Sequence, residues 1–154
     1  MKRKQQTISH PTSCTGIGLH TGVECTITVK HAHDNYGIRC IRTDIKNCPD
    51  IKADIDHVID ISRGTTIEEK KVRIHTVEHA LAAVSGLRID NVLIELTSKE
   101  PPVMDGSAKD FVEALLASGI VNQKNERNVL EIRRAVNYTD PYRDIDIHVI
   151  PSDR

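Results

Sequence analysis

The densest group of reactive side chains in this 154-residue chain is the run His75-Thr76-Val77-Glu78-His79. Two imidazoles four positions apart face the same way on a helix, and a carboxylate beside one of them can take a proton from water that a metal activates. Read literally, the run is H-x-x-E-H, a zinc-peptidase pattern in which both histidines bind the metal. Thr76, however, is a good helix N-cap. That role leaves His75 outside the helix in extended geometry and removes the alignment of the two rings, so His75 is expected to be a strand-end or surface histidine.

The remaining histidines are scattered: His10, His20, His31, His33, His57 and His148. The pair His31-Ala32-His33 falls where a strand gives way to a turn and reads as a solvated loop. His20 is different, because it sits in Thr15-Gly16-Ile17-Gly18-Leu19-His20-Thr21-Gly22, where three glycines mark a tight turn with an exposed backbone. Either something approaches that backbone or the chain merely reverses, and His20 is either presented to a ligand or hydrogen-bonded within the turn. Asp105, in Pro102-Val103-Met104-Asp105-Gly106-Ser107, reads as a structural Asx turn. Cys14, Cys25, Cys40 and Cys48 contain no C-x-x-C pair, so reduced structural thiols are expected in place of a zinc or redox centre.

These residues need a folded frame, and the composition provides for one. Ile, Val, Leu and Phe number 19, 13, 8 and 1, about 27% of the chain, above the roughly 20% below which a core usually cannot form. Ile and Val outnumber Leu four to one, and 12 Thr add to the β-branched total; such side chains pack well on a pleated sheet and lose rotamer freedom in helices. An all-helical bundle is excluded. A formal net charge of -1 supplies no broad basic field for nucleic acid or an anionic membrane. The basic start, Met1 to Gln6, leads into polar sequence and not an apolar signal core, and no apolar stretch approaches the ~20 residues of a membrane span. A cytoplasmic protein is expected.

Val23, Cys25, Ile27 and Val29 alternate with polar residues, which predicts a half-buried strand, with Gly37 to Arg42 as its partner. Residues 51–74 read as short irregular strands forming an inserted element. A first helix is predicted over about Thr76 to Ser85, with Val77, Leu81 and Val84 on one stripe and Gly86 as its left-handed C-terminal residue. Asn91 to Leu96 reads as a strand. A second helix starts from Ser107 as N-cap, carries Phe111, Val112, Leu115 and Leu116, and stops at Gly119-Ile120 in the same left-handed manner. The polar segment Val121 to Asn128 reads as an interdomain linker, followed by a hairpin around Asp140-Pro141. The expected fold class is α+β, a small sheet layered with two helices, with a domain at 1–124 and, at 125–154, a linker and the opening hairpin of an incomplete second domain.

The glycine turn, Thr76-Val77-Glu78-His79, Gly86-Leu87 with Ile89-Asp90-Asn91, and Pro102 to Ser107 resemble, in this order, the signature segments of the zinc-dependent UDP-3-O-acyl-N-acetylglucosamine deacetylases of lipid A synthesis, the LpxC type. The resemblance runs from about Thr7 into the last hairpin. Ser62-Arg63-Gly64-Thr65-Thr66 further resembles the branch fused to a β-hydroxyacyl-ACP dehydratase. It implies two α+β domains of similar build with zinc in the cleft between them. It also implies His79 as a zinc ligand, Glu78 as the general base in attack of water on the 2-acetamido carbonyl of UDP-3-O-acyl-N-acetylglucosamine, and Leu19 and His20 near that substrate. The irregular 56–67 region would help to line the acyl-chain passage.

Family members usually carry a small capping residue at the position of His75. The family's remaining zinc ligands, a His and an Asp in an H-x-x-x-D arrangement, lie in the second domain with a catalytic His and an oxyanion-stabilising Thr, and this sequence ends before them. One histidine does not hold zinc alone, so the expectation is the N-terminal portion of a deacetylase, inactive in isolation and needing the C-terminal half to complete the zinc site. The competing expectations are a non-catalytic stand-alone α+β binding domain and a peptidase using His75, Glu78 and His79.

Overall fold

A computed structural model describes residues 3–152; Met1 and Lys2 of the basic start, and Asp153 and Arg154, lie outside the described residues. The chain is α+β as expected. Its strands are β1 (Lys4–Ile8), β2 (Thr12–Ile17), β3 (Glu24–His31), β4 (Ile38–Arg42), β5 (Ile51–Lys52), β6 (Val58–Asp60), β7 (Thr66–Glu69) and β8 (Val72–Ile74), followed by helix α1 (Glu78–Gly86) and β9 (Val92–Leu96). Helix α2 (Lys109–Ala117), β10 (Ile120–Glu126) and a hairpin of β11 (Val136–Asp140) and β12 (Ile145–Val149) complete it. Among the described residues no helix is long and apolar enough to cross a membrane.

The principal sheet has the order β2-β3-β9-β4-β5. The alternation in β3 holds: Cys25, Ile27 and Val29 are buried, while Thr26 and Thr28 on the other face pair their hydroxyls with Thr15 and Ser13 of β2. The expected pairing of β3 with β4 is not formed. β9 lies between them, antiparallel to β3 and parallel to β4, because Val92, Ile94 and Leu96 are all fully buried and such a strand belongs at the centre of a sheet. Helices α1 and α2 contribute Ala80, Ala83, Val84, Phe111 and Leu115 to the same core, at roughly 1.5–3 kcal/mol for each fully buried large apolar side chain. Leu116 is 55% exposed and is not a core residue; it follows buried Leu115 directly, about 100° farther round the helix.

Both helix ends differ from expectation in part. Thr76 does not cap α1: Val77 occupies that position without a side-chain hydrogen bond, and Thr76 is left-handed with φ 54°. Gly86 is the last residue of α1, and the left-handed residue is Arg88. Its amide bonds the Ser85 carbonyl while the Ile89 amide reaches Val84, closing a Schellman motif with Val84 against Ile89. At α2 the cap position is Ala108, although the Ser107 hydroxyl accepts from the Lys109 amide. Gly119 is left-handed, as expected.

The polar segment read as a linker is a strand through Glu126, antiparallel to β1. Its polarity conceals it. Gln123 accepts a hydrogen bond from the Asn91 amide and donates to the Ala32 carbonyl, and Arg127 pairs with Asp90 at 2.8 Å. Asp90 also accepts from the Gln6 amide, and Asn91 bonds Gln5 and Gly37, so Asp90-Asn91 ties β1 and β10 to the body. β11 and β12 pair only with each other among the described strands.

Candidate functional site

The glycine turn connects β2 to β3, with the Gly18 amide bonded to the Val23 carbonyl and Gly22 to Gly18. Of the two sequence alternatives the first is met, because the chain does more than reverse and a group approaches its backbone. That group is the Glu100 carboxylate, which accepts from the amides of His20 at 3.1 Å and Thr21 at 2.8 Å. A Cβ on Gly18 would lie 2.7 Å from Glu100 Oε2 and 2.5 Å from Thr21 Oγ1, so the approach requires glycine there. Leu19 at the tip is 55% exposed. The exposed His20 ring has Nε2 3.1 Å from the Arg63 carbonyl oxygen.

The head of α1 is built by the inserted strands. β6, β7 and β8 form a separate antiparallel sheet, and the segment entering β7 lies against the helix start, where the Val77 amide donates to the Thr65 carbonyl. The Thr65 amide in turn donates to Glu78 Oε1. Glu78 is the first residue of α1, where a negative charge also meets the positive end of the helix dipole. Its other oxygen, Oε2, is buried and has no hydrogen-bond partner among the described residues. Gly64 lies close by, with φ 140° and room for a Cβ only 3.3 Å from Glu78 Oε1.

His79, the next residue, is half-buried, and its ring has no hydrogen-bond partner among the described residues. His75 does not share its face. It follows β8 and precedes the helix, with its amide bonded to the Lys99 carbonyl and its Nδ1 3.0 Å from Thr66 Oγ1. Burial, reinforced by the Lys99 charge, pushes the His75 imidazole below its usual pKa. The two-histidine alignment of a peptidase is therefore not formed, although the reason is the left-handed Thr76 and not an N-cap.

An open cleft of about 280 Å³ lies between these segments, walled in part by His20, Arg63, Gly64, His75, Thr76 and Glu100. Glu78 and His79 are not in its wall; Glu78 bonds Thr65, which sits between the wall residues Gly64 and Thr66. The structure thus brings Glu78 and His20 onto one segment, 63–65, and leaves Leu19 exposed at the tip of the turn. Asp105 makes the expected Asx turn, accepting from the Ser107 amide and hydroxyl, which hold its carboxyl below the usual range. Cys25 and Cys40 are buried and all four cysteines are free; burial pushes the Cys40 thiol up to about 12. His31 and His33 are exposed, as expected.

A structural or catalytic zinc takes at least three protein donors. The ring of His79, unpartnered among the described residues, can supply one donor to such a centre. Among the described residues, however, no group of three or more His, Cys, Asp or Glu side chains is placed to hold a metal. These residues do not make a zinc site by themselves.

Glu100 is the site residue that sequence reasoning missed. Its one signal was a carboxylate directly before Pro101-Pro102, at the end of a strongly apolar strand.

A bifunctional LpxC/FabZ enzyme of Chlorobaculum tepidum is 52% identical over 149 residues, covering 97% of this chain and 32% of that protein. A UDP-3-O-acyl-N-acetylglucosamine deacetylase of Myxococcus xanthus is 40% identical, over 88% of this chain and 43% of its own length. A bifunctional LpxC/FabZ enzyme of Bacteroides thetaiotaomicron is 35% identical, over 97% of this chain and 32% of its own length. The chain thus spans between about a third and under half of these relatives. The family profile for UDP-3-O-acyl N-acetylglycosamine deacetylase, LpxC, matches residues 5–154, and with nearly the whole chain matched in this way, the protein belongs to the LpxC family.

Proposed function

We propose that this chain is the N-terminal portion of a zinc-dependent amide hydrolase that removes the acetyl group from the 2-acetamido nitrogen of UDP-3-O-acyl-N-acetylglucosamine, releasing acetate in lipid A biosynthesis in the cytoplasm. The observation that carries this reading is the state of Glu78. One oxygen is fixed by the Thr65 amide and the other is buried and, among the described residues, unpartnered, on the residue that precedes His79 in the sequence. A carboxylate oriented in this way has a free lone pair for the proton of the attacking water. It can then return that proton to the departing amine, so that water and amide become acetate and amine. Such general acid–base work is worth ~10²–10⁴ in rate.

His79 supplies one zinc donor, and the others come from outside these 154 residues. Leu19 and His20 contact substrate from the glycine turn. We also propose that the first of two similar domains, expected at 1–124, extends to the end of β10 at Glu126 and that the residues after it open the second, a division favoured by the self-contained β11–β12 hairpin. The likeness to bifunctional LpxC/FabZ relatives supports placing the chain in the branch fused to a dehydratase.

The test is acetate release from UDP-3-O-acyl-N-acetylglucosamine by the purified chain alone, and by a joined polypeptide in which it replaces the matching segment of the Chlorobaculum tepidum relative. The chain alone is expected to release none and the joined polypeptide to turn over. Turnover by the chain alone contradicts the incomplete site, and a folded but inert joined polypeptide contradicts the deacetylase.

A further inference from the structure

We propose that Glu100 is a positioning residue that locks the turn carrying His20 to the head of the helix carrying Glu78 and His79. The importance of those three side chains rests on the deacetylase reading; the lock itself rests on geometry.

Glu100 is 0% exposed, and among the described residues it has no cationic partner within ion-pair distance. Burying a carboxylate in this way costs several kcal/mol unless hydrogen bonds replace its water. Here they come from two different parts of the chain. The His20 and Thr21 amides of the glycine turn converge on it, and the Thr76 hydroxyl donates to its Oε1 at 2.7 Å. Hydrogen bonds to an ionised acceptor are about twice as strong as neutral ones, so the carboxylate is a stiff junction between segments 80 and 24 residues away in sequence.

Thr76 supplies the second line of argument. A β-branched residue in the left-handed region is a true conformational outlier that persists only where its surroundings hold it. Its φ of 54° turns the chain out of β8 and into α1, and thereby sets where Glu78 and His79 start. The hydroxyl bonded to Glu100 is the only side-chain hydrogen bond that Thr76 makes among the described residues. The strap that carries Glu100 touches both sides as well, since the Lys99 carbonyl takes the His75 amide and Pro102 bridges to Gly18. A neutral side chain of similar size could fill the space. Only an acceptor with two oxygens can hold two backbone amides and a hydroxyl together.

Amide hydrogen exchange on the purified chain, followed by NMR, tests the lock. Glu100→Gln is expected to accelerate exchange at Thr21 and Val77 at least tenfold while Ile94, at the centre of the sheet, stays within twofold. Equal acceleration at Ile94, or none at Thr21 and Val77, overturns the proposal. Thr76→Val decides the matter if Glu100→Gln does not fold. Removing the hydroxyl on one side should accelerate Thr21 on the other at least threefold, and an unchanged Thr21 overturns the coupling. In the joined polypeptide, Glu100→Gln is expected to lower kcat at least tenfold with KM within twofold, and an unchanged kcat overturns the positioning role. The exchange arm needs neither substrate nor metal. If the wild-type joined polypeptide releases no acetate, the deacetylase reading fails while exchange still decides the lock.

Discussion

His20 Nε2 lies 3.1 Å from the carbonyl oxygen of Arg63, two residues before the Thr65 amide that bonds Glu78. One short loop segment of the inserted strands therefore fixes both a turn histidine and the candidate base, although the two are 58 positions apart in the sequence. The insertion acts as part of the scaffold of the site as well as a wall of its cleft.

The orphaned Glu78 oxygen predicts a trade of stability against function. A buried acceptor without a partner is destabilising, more so when charged. Glu78→Gln should therefore leave the melting temperature of the chain unchanged or higher. A fall of more than a few degrees would mean that the carboxylate is held for structural reasons and that its free oxygen has a partner in solution.

Gly18→Ala tests the close approach of Glu100. Its Cβ would meet Glu100 Oε2 at 2.7 Å and Thr21 Oγ1 at 2.5 Å, and overpacking of this kind costs about 1–3 kcal/mol. At ~2–4 °C per kcal/mol for a chain of this size, the melting temperature should drop by several degrees. A neutral effect would show that the turn stands farther from the carboxylate.

The contribution of Glu100 should depend on pH in a definite direction. Burial raises its pKa, but hydrogen bonds from Thr76, Thr21 and His20 together hold it below the ordinary carboxylate value of 4.5. A depressed folded-state pKa gives stability that is fully present above the unfolded value and is lost as pH falls through the folded one. The stability difference between wild type and Glu100→Gln, measured by urea unfolding, should be constant from pH 7 to about 5 and shrink below about 4.5. A difference that grows on acidification contradicts an ionised Glu100.

The two histidines should separate in metal content. In the joined polypeptide His79→Ala is expected to lose zinc while His75→Ala retains the wild-type stoichiometry, because His75 lies outside α1 with its ring bonded to Thr66. Equal loss in both variants would restore the paired-histidine reading.

The elements legible in the sequence were those whose signal is local. The alternation through Cys25, Ile27 and Val29 marked β3, Gly119 marked the end of α2, and the broken pattern before Ile74 marked the inserted strands. What was hidden depends on distant partners. β4 pairs with β9 because three buried side chains draw β9 to the centre of the sheet, which no spacing near Gly37 records. β10 carries amides where a strand usually alternates, since Gln123 serves Asn91 and Ala32. Thr76 suits a cap by residue type; instead it is left-handed and its hydroxyl bonds Glu100, 24 residues later. Within the site, Glu78 and His79 stood out as residue types, but their surroundings came from the loop before β7 and the strap after β9.

The most direct test of the central claim is steady-state acetate release by the joined polypeptide and its Glu78→Gln variant, compared at matched zinc content. If this chain supplies the base, kcat falls at least 100-fold with KM within about twofold, within the range expected for loss of general-base catalysis. A Glu78→Gln polypeptide that turns over at the wild-type rate would contradict it.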